Sequence, residues 1–359
     1  MASVAELAAE RSIVICCGSG GVGKTTTAAA IALEAARRGR RAVVVTIDPA
    51  KRLADALGLS GGLTNEPTEI AGSWPGRLSA VMLDTKSTFD GLVARYADDH
   101  AQAQHIFANR FYRNISGALS GTQEYMAAEK LYQLHDGGEF DLVVVDTPPT
   151  RNALDFLDAP SRLVRFLDHR LYRALMAPTR AYLRAVGFAA QTFLRTVSKV
   201  VGGGVLTDAI AFFQAFDGME AGFRERAERV LHLLGAPETA YVLVTAPRRE
   251  SVEEAEFFAR RLAEGKLGVA ALIINRIHPA FGDGDPAATR AEADRWAGTP
   301  LGELWANLAD FRELTAWEEA QLRGLAARLA PAPVVRVPVL RSDVHDLDGL
   351  TDVAAHLFG

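Results

Sequence analysis

A glycine-rich loop near the start of the chain has the residue types and spacing to bind phosphate. Residues 13–27 have the sequence Ile-Val-Ile-Cys-Cys-Gly-Ser-Gly-Gly-Val-Gly-Lys-Thr-Thr-Thr. The G-x-x-x-x-G-K-[ST] spacing of a phosphate-binding loop is met by Gly18, Gly23, Lys24 and Thr25. In such a loop backbone N–H groups surround the phosphates, the lysine meets the β and γ charges, and the threonine binds magnesium. We expect a helix to begin at Thr25, and we expect nucleotide contacts from Gly20, Gly21, Val22, Gly23, Lys24, Thr25 and Thr26.

Two aspartates follow predicted strands and are candidates for the chemistry at the phosphates. Asp48 follows the apolar run 42–47, and Asp146 ends the run that begins at Leu142. The carboxyl ends of parallel strands form the ligand-binding edge of an open α/β sheet. We assign Asp146 to Mg²⁺ together with Thr25, through a bridging water. For Asp48, the residues alone leave a catalytic carboxylate and a helix cap equally open.

Apolar runs alternate with helical patterns along the chain, which predicts an α/β fold with a mainly parallel, doubly wound sheet. The later runs lie at 78–83, 142–145, 241–244, 269–274 and 334–337. We predict a single P-loop domain over residues 1–359. The long segments 86–135 and 155–235 are interpreted as helical subdomain insertions, and 281–332 as a variable helical insertion.

Composition limits the class of protein. The hydrophobic content of 49% supplies a sizeable core, and the net charge of −5 makes nucleic acid an unlikely partner. Cys16 and Cys17 are adjacent in a strand, where their side chains point to opposite faces, so we predict buried thiols in a reducing compartment. Neither a secretory signal nor a membrane span is visible in the sequence. We therefore expect a cytoplasmic protein with, at most, peripheral membrane association.

Four motifs together carry a resemblance to a known family over nearly the whole chain. They are the loop Gly-Ser-Gly-Gly-Val-Gly-Lys-Thr-Thr, Asp48-Pro-Ala, Asp146-Thr-Pro-Pro-Thr and Ile-Ile-Asn275. They resemble the arsenical-pump and tail-anchored-protein-targeting ATPases of the anion-transporting ATPase family. The resemblance implies a P-loop NTPase of the deviant Walker A class that hydrolyses ATP with Mg²⁺. It also implies a dimer whose two nucleotides face each other across the subunit interface.

The resemblance assigns roles to individual positions. It implies that Asp48 lies in a first switch and orients or deprotonates the attacking water, with Lys24 as the second catalytic residue. It places residues 146–150 in a second switch and gives Asn275 to the adenine, which its donor and acceptor can both contact. Pro338 and Val339 are expected to form the other wall of the adenine site.

The chain departs from the family pattern in ways that bear on its partners. Ser19 stands where the family has a lysine that reaches across the dimer to the partner's phosphates. Because cations supplied in trans accelerate phosphoryl transfer, we expect a homodimer to hydrolyse ATP slowly, and we favour a heterodimer with a lysine-bearing paralogue. The alternatives are a slow homodimer and a substitute cation from Arg248. Lys51 and Arg151 also depart from the pattern at the two switches.

The segment after the second switch suggests what the ATPase acts on. Asp158-Ala-Pro-Ser161 predicts a helix start, and residues 161–199 contain eight Lys or Arg and one acidic residue, Asp168. Such a basic, apolar segment suits an apolar client helix or membrane-associated partner, direct contact with a membrane or nucleic acid, or simply a core helix with a solvated face. The competing function is a partition or positioning ATPase that acts on a membrane or nucleoid surface. A ligase or reductase lacks recognisable chemistry here, and arsenite transport lacks thiol ligands away from the loop.

Overall fold

The chain folds into two compact units. The computed structural model describes residues 4–48, 52–115, 122–148, 155–169, 208 and 211–359. The sheet unit comprises Met1–Met82, Leu134–Leu154 and Pro237–Gly359, and the helical unit comprises Leu83–Gln133 and Asp155–Ala236. The switch residues Lys51 and Arg151, and most of the basic segment 161–199, lie outside the described residues. The domain boundaries given above stay predictions.

An eight-stranded sheet forms the centre of the sheet unit. Its strands are β1 (Ile13–Cys17), β2 (Arg41–Thr46), β3 (Thr68–Glu69), β4 (Arg77–Met82), β5 (Leu142–Asp146), β6 (Thr239–Thr245), β7 (Val269–Ile277) and β8 (Val334–Pro338). Their order is β3-β4-β2-β5-β1-β6-β7-β8, and every neighbouring pair is parallel except β3 with β4. Seven strands match predicted runs within a few residues. The sequence analysis missed β3, because a two-residue edge strand has no periodicity to detect.

Helices alternate with the strands along the chain. They are α1 (Val4–Glu10), α2 (Lys24–Arg37), α3 (Arg52–Ala56), α4 (Thr85–Tyr96), α5 (His100–Ala108), α6 (Arg110–Ile115), α7 (Thr122–Asp136), α8 (Asp155–Asp168), α9 (Glu220–Gly235), α10 (Arg249–Glu264), α11 (Pro286–Arg295), α12 (Pro300–Leu329) and α13 (Leu347–Phe358). The predicted helix start at Asp158-Ala-Pro-Ser161 is wrong: α8 begins at Asp155 and contains Pro160. One proline in a second turn forfeits a single backbone hydrogen bond, which packing of the helix offsets.

The central strands of the sheet are buried on both faces. In β1, Val14 and Cys16 belong to the core cluster that packs against α2, while the alternate residues Ile13 and Ile15 are also 0% exposed. A parallel sheet covered on both sides requires such continuous apolar strands. The alanine-rich α2 lies close to β1, β2 and β5, because small side chains allow a short distance between helix and sheet. This packing fixes the N-terminus of α2 directly after β1.

The helical unit has its own core. Aromatic rings pack against one another, as in Phe212 with Phe216 at 4.7 Å between centroids. A buried ion pair joins α7 to α9: the Arg226 Nη2 lies 2.7 Å from Glu129 Oε1, and both side chains are at most 1% exposed. Among the described helices, none is long and apolar enough to cross a membrane.

The segment 281–332 contains a helical hairpin in the sheet unit. Helices α11 and α12 pack along each other, and α12 also contacts α10 and β7. The hairpin carries several exposed apolar side chains, which are Phe281, Trp296, Leu301, Leu304, Phe311 and Trp317. The contact of α12 with β7 therefore attaches the hairpin to a strand that ends near the phosphate loop.

Candidate nucleotide site

The phosphate loop follows β1 at the carboxyl edge of the sheet. Two of its glycines are required by close approaches: a Cβ on Gly18 would lie 2.0 Å from the Val244 carbonyl oxygen, and one on Gly23 2.1 Å from Asn275 Nδ2. Gly23 also has a φ of 93°, which disfavours any other residue. Helix α2 begins at Lys24, one residue before the predicted start, and no side chain caps its N-terminus. Its first N–H groups therefore remain available to an anion.

The Lys24 side chain is folded back onto its own loop. It is 5% exposed, and Nζ donates a hydrogen bond to the Ser19 carbonyl oxygen at 2.8 Å. Burial lowers the pKa of Lys24, while the charge of Asp146 opposes that shift. The Ser19 hydroxyl is buried and has no hydrogen-bond partner. A phosphate would give Lys24 an acceptor with a full charge in place of a carbonyl oxygen.

Asp146 connects the ends of β5 and β2 to the start of α2. Its Oδ2 accepts hydrogen bonds from Thr25 Oγ1 at 2.7 Å and from Thr46 Oγ1 at 3.0 Å. The residue is 1% exposed, and burial raises the pKa of Asp146 to about 6, against the hydrogen bond from Thr25 and the charge of Lys24. Its Oδ1 is buried without a hydrogen-bond partner. An oxygen of this kind, beside a threonine hydroxyl, fits a hard cation or a water bound to one.

The sequence analysis did not identify Thr46. It is the last residue of β2 and lies opposite Asp146 in the parallel register. Its hydroxyl also accepts a hydrogen bond from the Asp48 N–H at 3.3 Å. Thr46 thus connects the two aspartates, and a threonine two residues before Asp48 was the available signal.

Asp48 lies on the same cavity as the loop. The cavity has a volume of about 420 Å³, within the range of ligand pockets. Arg52 Nη1 lies 3.6 Å from Asp48 Oδ2, and Arg52 lines the cavity as well. The sequence analysis missed this arginine because its place beside the aspartate depends on the start of α3.

The predicted base residues line the same cavity as the phosphate loop. Asn275 Nδ2 donates to the Val22 carbonyl oxygen at 2.9 Å, and its Oδ1 accepts from the Arg276 N–H at 2.9 Å. Each end of the amide retains one further hydrogen-bonding position. Pro338 and Val339 line the same cavity.

Other cavity-lining groups were not predicted. Residues 342–345, including His345, border the cavity after β8. Among the described residues that line it are Gly21, Gly23, Lys24, Thr25 and Thr26, whereas Gly20, Val22, Asp146 and Arg248 are not in that set. Val22 and Asp146 are buried beneath the surface of the cavity.

The two cysteines are buried in β1. Burial raises the pKa of Cys16, and it raises that of Cys17 to about 12. Both are free thiols. Protonated thiols at 0% exposure do not act as ligands, so the geometry offers no arsenite site at these residues.

The arrangement matches a known family. A family model described as Anion-transporting ATPase matches residues 11–293. This chain belongs to the anion-transporting ATPase family. Membership confirms the family resemblance, the α/β P-loop fold with a mainly parallel sheet, and the prediction of an ATP hydrolase.

Several members of the family are similar over most of the chain. The protein "ATPase GET3" of Mycosarcoma maydis is 24% identical, over 95% of this chain and 88% of its own length. The "Putative arsenical pump-driving ATPase 1" of Aquifex aeolicus is 22% identical, over 97% of this chain and 78% of its own length. The "ATPase GET3" of Malassezia globosa is 25% identical, over 74% and 72% respectively.

The raised pKa of Asp146 generates a prediction about stability and pH. Its pKa lies above the ordinary value of 3.8, so ionising the folded protein costs free energy that appears between pH 4 and 6 and persists above. Asp146→Asn removes this cost. We expect the change in unfolding free energy, Asn minus Asp, to be about 1 kcal/mol more favourable at pH 7.5 than at pH 5.

Urea unfolding of protein free of nucleotide and magnesium measures this difference. Asp141→Asn is the matched control, because Arg41 holds the pKa of Asp141 at about 2 and its titration lies below this pH window. An equal effect of Asp146→Asn at both pH values would show that Asp146 titrates normally.

Proposed function

We propose that this protein is a Mg²⁺-dependent ATPase whose nucleotide state controls a dimer that handles an apolar helical client or a membrane-associated partner. The observation that carries the proposal is the single cavity of about 420 Å³ onto which Lys24, Thr25 and Asp48 all open. Family membership supplies ATP as the nucleotide. The free thiols Cys16 and Cys17 suit the cytoplasm.

The loop would hold the phosphates, and the part of the cavity lined by the ends of β7 and β8 would hold the base. Phosphate contacts are assigned to Gly20, Gly21, Val22, Gly23, Lys24, Thr25 and Thr26, and base contacts to Asn275, Pro338 and Val339. The uncapped start of α2 and the inward Lys24 support the first assignment. The spare donor and acceptor of Asn275, at the cavity, support the second.

Magnesium would be held by Thr25 directly and by Asp146 through water. The buried Asp146 Oδ1, which has no hydrogen-bond partner, supports this assignment. When bound, the ion would neutralise charge on the β and γ phosphates. Thr46 keeps the carboxylate of Asp146 in place through its hydrogen bond at 3.0 Å.

Asp48 would orient the attacking water and accept its proton. It opens on the cavity that holds the phosphate loop, as this role requires. Its distance of 3.6 Å from Arg52 is too long for a strong hydrogen bond, so the ion pair can yield to water and phosphate. Lys24 would stabilise the charge on the transferred phosphate.

Ser19 bears on the partner. In the family pattern its position belongs to a lysine that acts across the dimer, and a serine cannot supply that charge. We propose a heterodimer with a lysine-bearing paralogue, with a slow homodimer as the alternative. Arg248 is the other candidate cation; it is exposed and lies next to α10, outside the set of residues that line the cavity.

Features of helix α8 support the proposed apolar or membrane-associated client. It is strongly amphipathic, and its apolar Phe166 is 47% exposed while Arg162 and Arg165 lie on the same helix. An exposed ring on an amphipathic helix suits contact with an apolar helical segment or with the surface of a membrane. The partition-type alternative has no such support in the described residues.

The phosphate-loop assignment predicts a separation of binding from turnover. Lys24→Ala and Thr25→Ala should each weaken ATP binding at least about tenfold, since hydrogen bonds to charged groups contribute about 1.5–3 kcal/mol. Asp48→Asn should leave the dissociation constant within about twofold and lower kcat by about 10² to 10⁴.

Titration calorimetry with Mg-ATP and a steady-state phosphate assay measure these quantities. Lys86→Ala, which removes an exposed lysine paired with Asp90, is the control and should change neither. Unchanged ATP affinity in both loop variants would refute the nucleotide site.

The Ser19 assignment predicts a gain of function. Ser19→Lys should raise the ATPase rate of the isolated protein by at least about tenfold, a modest part of what trans cations contribute. Ser19→Ala is the control, and its rate should stay at the parent level. If Ser19→Lys dimerises with ATP but hydrolyses no faster, and Arg248→Ala abolishes the parent's activity, then Arg248 supplies the cation.

The client assignment predicts nucleotide-dependent crosslinking. A photoreactive phenylalanine analogue at position 166 should crosslink an apolar helical peptide of about 20 residues, with yields that differ between ATP and ADP. The same analogue at Phe281, which is equally exposed in the hairpin, is the control. Equal yields at both positions, or retention of duplex DNA instead of peptide, would exclude this client.

A further inference from the structure

A buried glutamate in the hairpin contacts the loop that follows β7. Glu318 of α12 is 2% exposed, and both of its carboxylate oxygens face His278. The His278 N–H donates to Oε2 at 2.9 Å, and the His278 Nδ1 lies 2.6 Å from Oε1. A carboxylate so far from water needs such partners, so the contact restrains both residues strongly.

His278 lies three residues beyond the proposed base contact Asn275. Between them the ladder of β7 and β8 shifts register, and Arg276 is the extra residue, with a φ of 59°. A residue other than glycine is disfavoured in this left-handed conformation, which persists only when the surrounding structure holds it. On one side the Asn275 Oδ1 accepts from the Arg276 N–H, and on the other Glu318 holds His278.

The end of β7 also contacts Val339, the other proposed base contact. The Val339 N–H donates to the Ile277 carbonyl oxygen at 2.9 Å, which joins the end of β8 to the residue before His278. The chain from Glu318 through His278 and Ile277 therefore reaches both Asn275 and Val339. One buried side chain of the hairpin is thus connected to both proposed base contacts.

The next residue of the helix offers a contrast. Glu319 pairs with Arg336 of β8 through two hydrogen bonds of 2.9 and 3.1 Å. Both side chains are more than 40% exposed, and exposed pairs of this kind constrain little. Of these two adjacent carboxylates, Glu318 contacts the loop after β7 and is buried, whereas Glu319 contacts β8 and is exposed.

We infer that Glu318 is a positioning residue for nucleotide-base recognition: through His278 it holds the bulge at Arg276, and thereby Asn275 and Val339, in the geometry that receives the base. This role gives the hairpin a function at the nucleotide site. It rests on the proposed base contacts of Asn275 and Val339.

The test compares a ligand that has a base with one that has none. Glu318→Ala should weaken Mg-ATP binding about tenfold and change Mg-tripolyphosphate binding by less than about twofold, since the phosphate loop is untouched. Glu318→Gln should largely restore ATP affinity, because its amide can accept from the His278 N–H and donate to Nδ1 of the other tautomer. Glu319→Ala, on the same helix, is the control and should match the parent. Titration calorimetry of the full chain measures the dissociation constants of both ligands for the parent and the three variants.

His278→Ala provides a second variant for the case in which Glu318→Ala does not fold, and the same selective loss of ATP affinity is expected. Equal loss for ATP and tripolyphosphate, or no loss for either, would assign Glu318 a structural role only and overturn the inference. Asn275→Ala separates the inference from its premise. If it weakens ATP selectively while both Glu318→Ala and His278→Ala do not, the base site stands and Glu318 has no part in it. If Asn275→Ala is without effect on ATP, the base site and the inference both fail.

Discussion

The burial of one carboxylate organises the nucleotide site. Asp146 ends β5, and its Oδ2 accepts hydrogen bonds from the hydroxyls of Thr25, at the start of α2, and Thr46, at the end of β2. Burial raises its pKa to about 6, so at neutral pH the ionised form costs free energy that two hydroxyls and the nearby Lys24 only partly offset. A divalent cation would offset the rest. Before any ligand binds, the site thus contains a buried negative charge that is only partly compensated.

The same region illustrates how distant segments are brought to one edge. Parallel pairing in the order β2, β5, β1, β6 and β7 places five carboxyl ends side by side. The loop after β1, Asp48 after β2 and Asp146 at the end of β5 therefore become neighbours although they are far apart in sequence. Asn275 of β7 also contacts the phosphate loop. Its amide donates a hydrogen bond to the Val22 carbonyl oxygen, and it lies so close to Gly23 that a Cβ there would clash with it.

Relatives at 22–25% identity share the fold but leave room for differences at individual positions. Ser19 is such a position: its hydroxyl is buried, and its carbonyl oxygen accepts the hydrogen bond of Lys24. The residue therefore contributes through its backbone to holding the phosphate-loop lysine. The hairpin α11–α12 and the helical unit each carry exposed apolar side chains, among them Trp317 and Phe166.

The sequence by itself determined the features that are contiguous in the chain. The phosphate loop is one uninterrupted pattern, and the buried strands are apolar runs, so both were predicted within a few residues. Asp48 and Asp146 were identified because each directly follows such a run. The tertiary structure alone decided which side chains meet: Thr46 with Asp146 is 100 residues apart, Arg52 depends on the turn into α3, and Glu318 reaches His278 across 40 residues. Contacts of that kind leave no local pattern, because they depend on strand order and register and on how a helix packs against the sheet.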